Sequence, residues 1–169
     1  MLTIRGEKPD DQAAIRHIHA SAFGRLHEAE LVDALRRHGG LTISLVAVQA
    51  GHIIGHIAFS PVTVVSDTCA TDALGLAPMA VLLEHQRKGI GSQLVVSGLE
   101  ACHHTPYGLV VVLGHPHYYP RFGFMPARLY GIVWEHDAPA EAFMVKELKA
   151  GALAQRRGVV RFRAEFDRV

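Results

Sequence analysis

The strongest constraint on the fold is a stretch in which two apolar strands are joined by one helix. Leu74 to Leu83 and Leu109 to Leu113 are apolar runs typical of strands buried on both faces. Between them, apolar residues recur at helical spacing from Gly89 to Cys102. Parallel neighbours need a helical crossover of this kind, so the stretch predicts a parallel strand pair within the sheet.

The segments around this unit complete a mixed α/β pattern. An aspartate of Pro9-Asp10-Asp11 is expected to cap the first helix. Two late apolar runs, Ile132–Trp134 and Phe143–Val145, fit strands near the edge of the sheet. The other predicted elements are a strand at Leu2–Arg5, helices from Pro9 to Ala22 and Glu28–Arg37, a hairpin of Leu45–Val48 and His52–Val65, a short helix at His117–Phe122, and a turn or short helical segment at Gly151–Arg157.

Length and charge narrow the class of protein. A chain of 169 residues suits one compact domain, predicted to span 1–169. Its 17 Lys and Arg against 16 Asp and Glu give a net charge of +1, which argues against a nucleic-acid partner.

No apolar stretch approaches the roughly 20 residues that cross a bilayer, and no targeting region is expected at the N-terminus. Cys69 and Cys102 suggest buried or half-buried free thiols, so a cytoplasmic protein without a membrane partner is expected.

The loop after the first buried strand carries the chemistry. Gln86-Arg87-Lys88-Gly89-Ile90-Gly91-Ser92 leads directly into the predicted helix. Glycines permit a tight turn and a close approach by another group. The N–H groups and dipole at a helix N-terminus form an anion site, and Arg87 and Lys88 add positive charge there. The loop therefore predicts a diphosphate cradle.

A glycine-rich loop of this kind has three alternative interpretations. The pattern GxxxxGK[ST] is absent, which disfavours a nucleoside-triphosphate P-loop. The dinucleotide pattern GxGxxG fails because Leu94 stands at its third glycine, and the loop follows the wrong strand. A glycine-rich helix start without any ligand stays open on this segment alone.

A family resemblance makes the interpretation specific. Gln86-x-x-Gly89-x-Gly91 is similar to the Q/R-x-x-G-x-G/A signature of the GNAT superfamily of N-acetyltransferases. Pro78-Met79-Ala80-Val81 looks like the fourth strand of that superfamily, and Tyr119–Phe124 resembles its Y-x-x-x-G-F element at a fitting distance. The passages GLVVVLGHPHYYPRFGF and AFMVKEL resemble a bacterial acetyltransferase subgroup. The resemblance covers most of the chain and is strongest from 74 to 125.

The resemblance implies a fold and a cosubstrate. The fold would be GNAT-like: a mixed, largely antiparallel sheet flanked by helices, with a central parallel strand pair that splays apart. The cosubstrate would be acetyl-CoA, whose acetyl group passes to an amine by direct attack through a tetrahedral intermediate, with no metal. Its pyrophosphate would lie on the loop and its pantetheine arm along the fourth strand. The residues implied to bind it are Met79, Ala80, Val81, Gln86, Arg87, Lys88, Gly89, Ile90, Gly91 and Ser92.

Proton transfers in such a reaction suggest further residues. The motif match implies that Tyr119 is the acid that protonates the leaving thiolate, with packing against the sheet as the alternative. A backbone N–H near Met79–Val81 would stabilise the oxyanion. The amine must be neutral to attack, which requires a base. Glu28, Glu30 and His115 are candidates, but none is singled out: the two glutamates fit solvated surface acids better than a base, and a structural role suits His115 at least as well.

Other functions stay open. His17 and His19 point apart on a helix and no HExxH motif is present, so no metal site is predicted. The rival class is a non-catalytic coenzyme A-binding sensor or interaction module of the same fold. An acyl-CoA hydrolase or a transferase of a longer acyl chain is a second rival. The acceptor is a small-molecule or peptide amine of unknown identity, and a homodimer is left open because such proteins are often dimers.

Overall fold

The computed structural model describes residues 1–167, with the side chain of Gln155 excepted. The chain divides into two compact units, the first comprising residues 1–60, 77–101 and 164–167, the second residues 61–76 and 102–163. The single domain proposed for 1–169 remains a prediction, and its last two residues lie outside the described part. Over residues 1–167, no helix has the length and apolar character needed to cross a bilayer.

Within residues 1–167 the chain forms nine strands and three α-helices in a mixed, largely antiparallel arrangement. The strands are β1 (Leu2–Gly6), β2 (Ile43–Gln49), β3 (His52–Val65), β4 (Ala70–Val81), β5 (Leu109–Leu113), β6 (Met125–Pro126), β7 (Ile132–Trp134), β8 (Phe143–Glu147) and β9 (Gly158–Arg161). The helices are α1 (Gln12–Phe23), α2 (His27–Arg37) and α3 (Ile90–His103).

The first unit contains an antiparallel meander. β1 pairs with β2 from Leu2 opposite Gln49, and β2 pairs with β3 from Ile43 opposite Phe59. The predicted hairpin of β2 and β3 is thereby confirmed. Helices α1 and α2 contact each other, and their apolar faces bury a cluster with the sheet. That cluster consists of Ile15, Val32 and Val46.

Helix α3 packs against β3 at two glycines, one on each element, each covered by a side chain of the other element. A Cβ on Gly98 would lie 2.5 Å from Cε1 of Phe59. A Cβ on Gly55 would lie 3.0 Å from Cδ1 of Leu94. Phe59 and Leu94 therefore pack directly on glycine backbone, and this contact fixes where α3 and its N-terminus lie against β3.

The second unit contains the predicted parallel pair. β4 and β5 pair in parallel at Leu74–Val110 and Gly75–Val111, which confirms the expectation from the strand–helix–strand unit. β8 pairs with both β5 and β6, and β9 pairs with β3 and, in parallel, with β7. The core of this unit consists of Val62, Val64, Ala73, Leu109, Val111, Ala127, Ile132, Phe143, Val145 and Val160.

The run Phe143–Val145 forms β8, which lies one strand from the end of the sheet order and so near its edge, as expected. Two other sequence expectations were wrong in detail. Asp11 does not cap α1 through its side chain; its carboxylate instead bonds the guanidinium of Arg5 at 2.7 Å and the N–H of Lys8. Both cysteines are free, but Cys69 is exposed.

Two imidazoles lie inside the first unit. His19 of α1 and His56 of β3 are both 0% exposed, and Nε2 of His19 lies 2.8 Å from Nδ1 of His56. Burial lowers the pKa of His19 to about 4, and it lowers the pKa of His56 well below its ordinary value. Both rings are therefore neutral at pH 7, and folding excludes the proton that they would bind in the unfolded chain.

We predict that this exclusion makes the fold acid-sensitive between pH 6.5 and 4. The unfolded state binds a proton at His19 below pH 6.5 while the folded state does not, so stability falls as pH falls. The loss from His19 alone is about 2 kcal/mol at pH 5. Urea unfolding at pH 7 and pH 5 measures it. His19→Gln is expected to flatten the profile, whereas His17→Gln, which removes an exposed imidazole of the same helix, is expected to follow the parent. Equal profiles for parent and His19→Gln would contradict this assignment.

Candidate active site

The loop between β4 and α3 folds back onto the end of β4. β4 ends at Val81, a short 3₁₀ turn covers Leu83–His85, and α3 begins at Ile90. Nε2 of Gln86 donates a hydrogen bond to the carbonyl oxygen of Val81 at 2.9 Å. The side-chain amide of Gln86 thus holds the loop against the end of β4. This contact is a structural role for the glutamine of the Q-x-x-G-x-G signature.

The backbone of the loop is left-handed at two positions. Arg87 has φ +61° and Gly89 has φ +82°. A left-handed conformation is unusual for a residue with a Cβ, and such residues concentrate at functional turns. Alternating conformations of this kind turn successive N–H groups toward one concave side, which is a recurrent anion-binding geometry.

The start of α3 adds donors to the same loop. The first bond of the helix runs from the N–H of Gln93 to the carbonyl of Gly89 at 3.1 Å. The N–H groups in the first turn of a helix have no acceptor within the helix and point outward along its axis. Arg87 and Lys88 are exposed, and a Cβ on Gly89 would meet nothing within 4 Å. The mouth of the loop is therefore open and positively charged.

The strand segment that leads to the loop is firmly held. Met79 is half-buried, and Ala80 and Val81 are buried. The N–H of Leu82 donates to the carbonyl of Ile54 on β3 at 2.9 Å. The first unit thus brings Met79–Val81 and the residues of the loop together on one strand end and one helix start.

Tyr119 belongs to the second unit, where a 3₁₀ turn spans Tyr119–Phe122 and ends at Gly123, whose φ is +93°. A Cβ on Gly114 would overlap Cε2 of Tyr119, so the ring lies directly on the backbone of Gly114. The other sides of the Tyr119 ring make edge-to-face contacts with Tyr118 and Phe124, at 5.0 and 5.7 Å between ring centroids.

The phenol of Tyr119 is a donor at physiological pH. The side chain is 7% exposed, and burial, followed by the neighbouring Tyr118, raises its pKa to about 12. A phenol with that pKa keeps its proton far above pH 7, so it donates hydrogen bonds and does not act as a base.

The three candidate bases differ in setting. Glu28 is 8% exposed, and both of its carboxylate oxygens accept hydrogen bonds from Arg25, at 3.0 and 2.5 Å. Burial raises the pKa of Glu28, but the hydrogen bonds and charge of Arg25 outweigh it and the pKa is lowered. Glu30 and His115 are exposed. Glu28 is thus an ionised, paired carboxylate, and the structure singles out none of the three.

Sequence reasoning missed the buried histidine pair. His19 follows Ile18 on the apolar face of α1, and His56 takes an inward position of β3 between buried Ile54 and Ala58. A histidine at an apolar position of an amphipathic pattern was the available signal. His17, by contrast, is exposed, as its offset of two residues from His19 predicts.

The strand, glycine loop and helix start lie in the order that the GNAT resemblance predicted, and family comparison assigns the class of protein. The model of the acetyltransferase (GNAT) domain matches residues 3–127, and the chain belongs to this family. The Escherichia coli K12 protein named uncharacterized N-acetyltransferase YhbS is 36% identical over 168 residues, with 99% of each chain covered.

Solved structures show the same relationship. The crystal structure of the Escherichia coli GNAT family N-acetyltransferase YhbS in complex with CoA superposes with a TM-score of 0.92 at 36% identity, covering 98% of this chain and 92% of that chain. A GNAT family acetyltransferase from Brucella melitensis in complex with acetyl-CoA gives a TM-score of 0.81 at 35% identity, with 99% of each chain covered. The family and the fold expected from the sequence are therefore confirmed.

Proposed function

We propose that this protein transfers an acetyl group from acetyl-CoA to an amine acceptor. The observation that carries the proposal is the near-complete match to two GNAT proteins crystallised with CoA and with acetyl-CoA. Acetyl-CoA supplies the acetyl group as an activated thioester. The residues of this chain would hold that molecule and move protons around it.

The pyrophosphate of the cosubstrate would bind the loop from Arg87 to Ser92. Support comes from the left-handed backbone of Arg87 and Gly89, the open mouth of the loop and its exposed cations. These groups fit a diphosphate because backbone N–H groups and a helix dipole favour a compact anion. Met79, Ala80 and Val81 would pair with the pantetheine arm through their backbone, and one of their N–H groups would stabilise the oxyanion.

Tyr119 would act on the leaving sulfur. A phenol with a pKa near 12 holds its proton more tightly than a thiol does, since an ordinary thiol has a pKa of about 8.5. Tyr119 would therefore contribute mainly a hydrogen bond to the developing thiolate. It would transfer its proton to the sulfur only as the proton released by the amine replaces it. The acceptor would be a neutral amine on a small molecule or a peptide.

The decisive test is release of coenzyme A thiol from acetyl-CoA across amine classes: a polyamine, an aminoglycoside, free amino acids and a peptide N-terminus. We expect at least one class to raise thiol release above the amine-free rate. Tight coenzyme A binding without release by any amine would overturn the enzyme assignment and favour a sensor or interaction module. Longer acyl-CoA donors in the same assay define the chain length accepted.

Gly89→Glu is expected to abolish coenzyme A binding, because it places a carboxylate beside the phosphates and a side chain on a left-handed residue. Isothermal titration measures the loss, expected to exceed roughly 100-fold. Gly51→Glu is the matched control, since Gly51 has a similar φ of +78° and equally open space, in the turn between β2 and β3. Undiminished affinity in Gly89→Glu would remove the loop from the binding site.

Tyr119→Phe is expected to lower kcat between about 10- and 100-fold, the effect of one hydrogen bond to a charged group. The KM for acetyl-CoA should change less than about two-fold, because ring packing on Gly114 is retained. Tyr118→Phe, which alters the adjacent half-buried phenol, serves as control and should keep near-parental kcat. An unchanged kcat in Tyr119→Phe would exclude this residue from the chemistry.

A further inference from the structure

A cavity of about 200 Å³ opens in the second unit, lined by β7 and by the segment that connects β7 to β8. Most of its walls are apolar, and its polar lining residues are Arg128, His136 and Asp137. Trp134 of β7, the single tryptophan of the chain, forms part of the wall. Phe143, the first residue of β8, forms another part. The cavity therefore offers an apolar interior with charged groups beside it.

Two of the lining residues carry aromatic rings that lie nearly parallel. The ring centroids of Trp134 and Phe143 are 6.5 Å apart, with 18° between the ring planes. The ring of His136 meets Trp134 edge-on, at 5.0 Å between centroids. An apolar cavity of about 150 Å³ is sufficient to bind benzene. This cavity therefore has room for one aromatic ring and a short chain.

Charged groups beside the cavity restrict the ligands that suit it. Arg128 and Glu141 form an ion pair at 3.8 Å, and both side chains are more than half exposed. Asp137 is exposed as well. A ligand with one apolar ring and one polar end fits such a site, because pockets are mostly apolar with a few polar groups that orient the ligand. A second ammonium group among the apolar walls would lose its hydration without gaining a partner.

The cavity lies at the strand end that supports Tyr119. β8 pairs with β5 so that Phe143 stands opposite Leu113, the last residue of β5. The N–H of Gly114 extends this pairing by donating to the carbonyl oxygen of Ala142 at 2.9 Å. The ring of Tyr119 rests on the backbone of Gly114. The backbone beneath Tyr119 and the wall of the cavity are thus adjacent residues of one strand pairing.

Tyr119 and the cavity lie on the two faces of the sheet at this strand end. Phe143 shares a core cluster with Val111 of β5, so the two side chains are on the same face. Gly114 follows Leu113, and successive residues of a strand point to opposite faces. In acetyl transfer, the amine approaches and the thiolate departs at different positions around the acetyl carbon. A hydrogen bond from Tyr119 to the sulfur therefore leaves the face of the cavity to the amine.

We infer that this cavity receives the side group of the acceptor and that the acceptor is a primary amine joined by a short chain to one aromatic ring, an inference that rests on the proposed function. The ring would pack against Trp134 and Phe143, and the amine would extend toward the end of β5. The amine nitrogen forms a bond to the acetyl carbon as the bond from that carbon to sulfur breaks. The proton that the nitrogen loses is balanced by the proton that the sulfur gains.

Matched amines test the inference in the thiol-release assay. 2-Phenylethylamine and ethylamine differ by the ring alone, and we expect the ring to raise kcat/KM between about 10- and 100-fold, as for burial of an aromatic side chain. 1,4-Diaminobutane should be no better than ethylamine, because its second ammonium group would be desolvated. A tripeptide with an N-terminal phenylalanine, compared with triglycine, distinguishes a peptide acceptor from a free arylalkylamine.

The fluorescence of Trp134 gives a readout that does not depend on turnover, because no other tryptophan is present in the chain. With coenzyme A bound, 2-phenylethylamine is expected to change the emission of Trp134 in a saturable way, since its ring would contact the indole. Ethylamine is expected to leave the emission unchanged. Absence of a saturable change with 2-phenylethylamine would overturn the inference.

Ala140→Phe is expected to block the cavity, because Ala140 is an exposed wall residue in the 3₁₀ turn Ala140–Ala142. It should abolish the preference for the ring and the fluorescence change, while kcat/KM for ethylamine stays within about two-fold of the parental value. Ala154→Phe is the matched control, since Ala154 is an exposed alanine of another 3₁₀ turn and does not line this cavity. It should retain both.

Trp134→Leu is the second variant and is used where Ala140→Phe fails to fold. It removes one of the two stacked rings and keeps an apolar side chain. The ratio of kcat/KM for 2-phenylethylamine to that for ethylamine is expected to fall about 10-fold, because less apolar surface covers the ring of the acceptor.

The outcomes separate the two proposals. A saturable fluorescence change with no thiol release from any amine overturns acetyl transfer, and with it the acceptor role of the amine, but supports the ring site. An active parent protein with equal kcat/KM for 2-phenylethylamine and ethylamine overturns the inference alone. A folded Ala140→Phe variant that keeps the ring preference and the fluorescence change also overturns it, since the ring would then bind elsewhere.

Discussion

The close approach of α3 to β3 governs how the first unit presents its loop. Gly98 and Gly55 carry no side chain of their own, so Phe59 packs on the backbone of Gly98 and Leu94 on the backbone of Gly55. Any larger residue would push the helix outward and shift its N-terminus relative to the end of β4. Gln86, which ties the loop to Val81, depends on that placement. The geometry proposed for diphosphate binding thus originates in core packing and not in the loop alone.

Sequence patterns predicted what is encoded locally. The parallel pair of β4 and β5 followed from two apolar runs and one periodic helix, and the strand His52–Val65 was predicted with the bounds that the structure has. β6 was missed because a strand of two residues carries too few positions for an alternating pattern.

The same distinction applies to the candidate site. The glycine loop is contiguous in the chain, so its signature can be recognised from the amino-acid sequence alone. The buried histidine pair takes one residue from α1 and one from β3, with 37 positions separating His19 from His56. Only folding brings them within hydrogen-bond distance. Glu28 illustrates the converse, since its position suggested a free acid and the structure pairs it with Arg25.

The contact between Tyr119 and Gly114 has a consequence for how such chains diverge. A ring resting on bare backbone leaves no room for a side chain at position 114. Loss of that glycine would displace the phenol even if the tyrosine were retained, whereas a small residue at 119 would relax the requirement. Positions 114 and 119 should therefore change together during evolution, and a homologue with a bulky residue at the former is expected to have abandoned, or relocated, its hydroxyl donor.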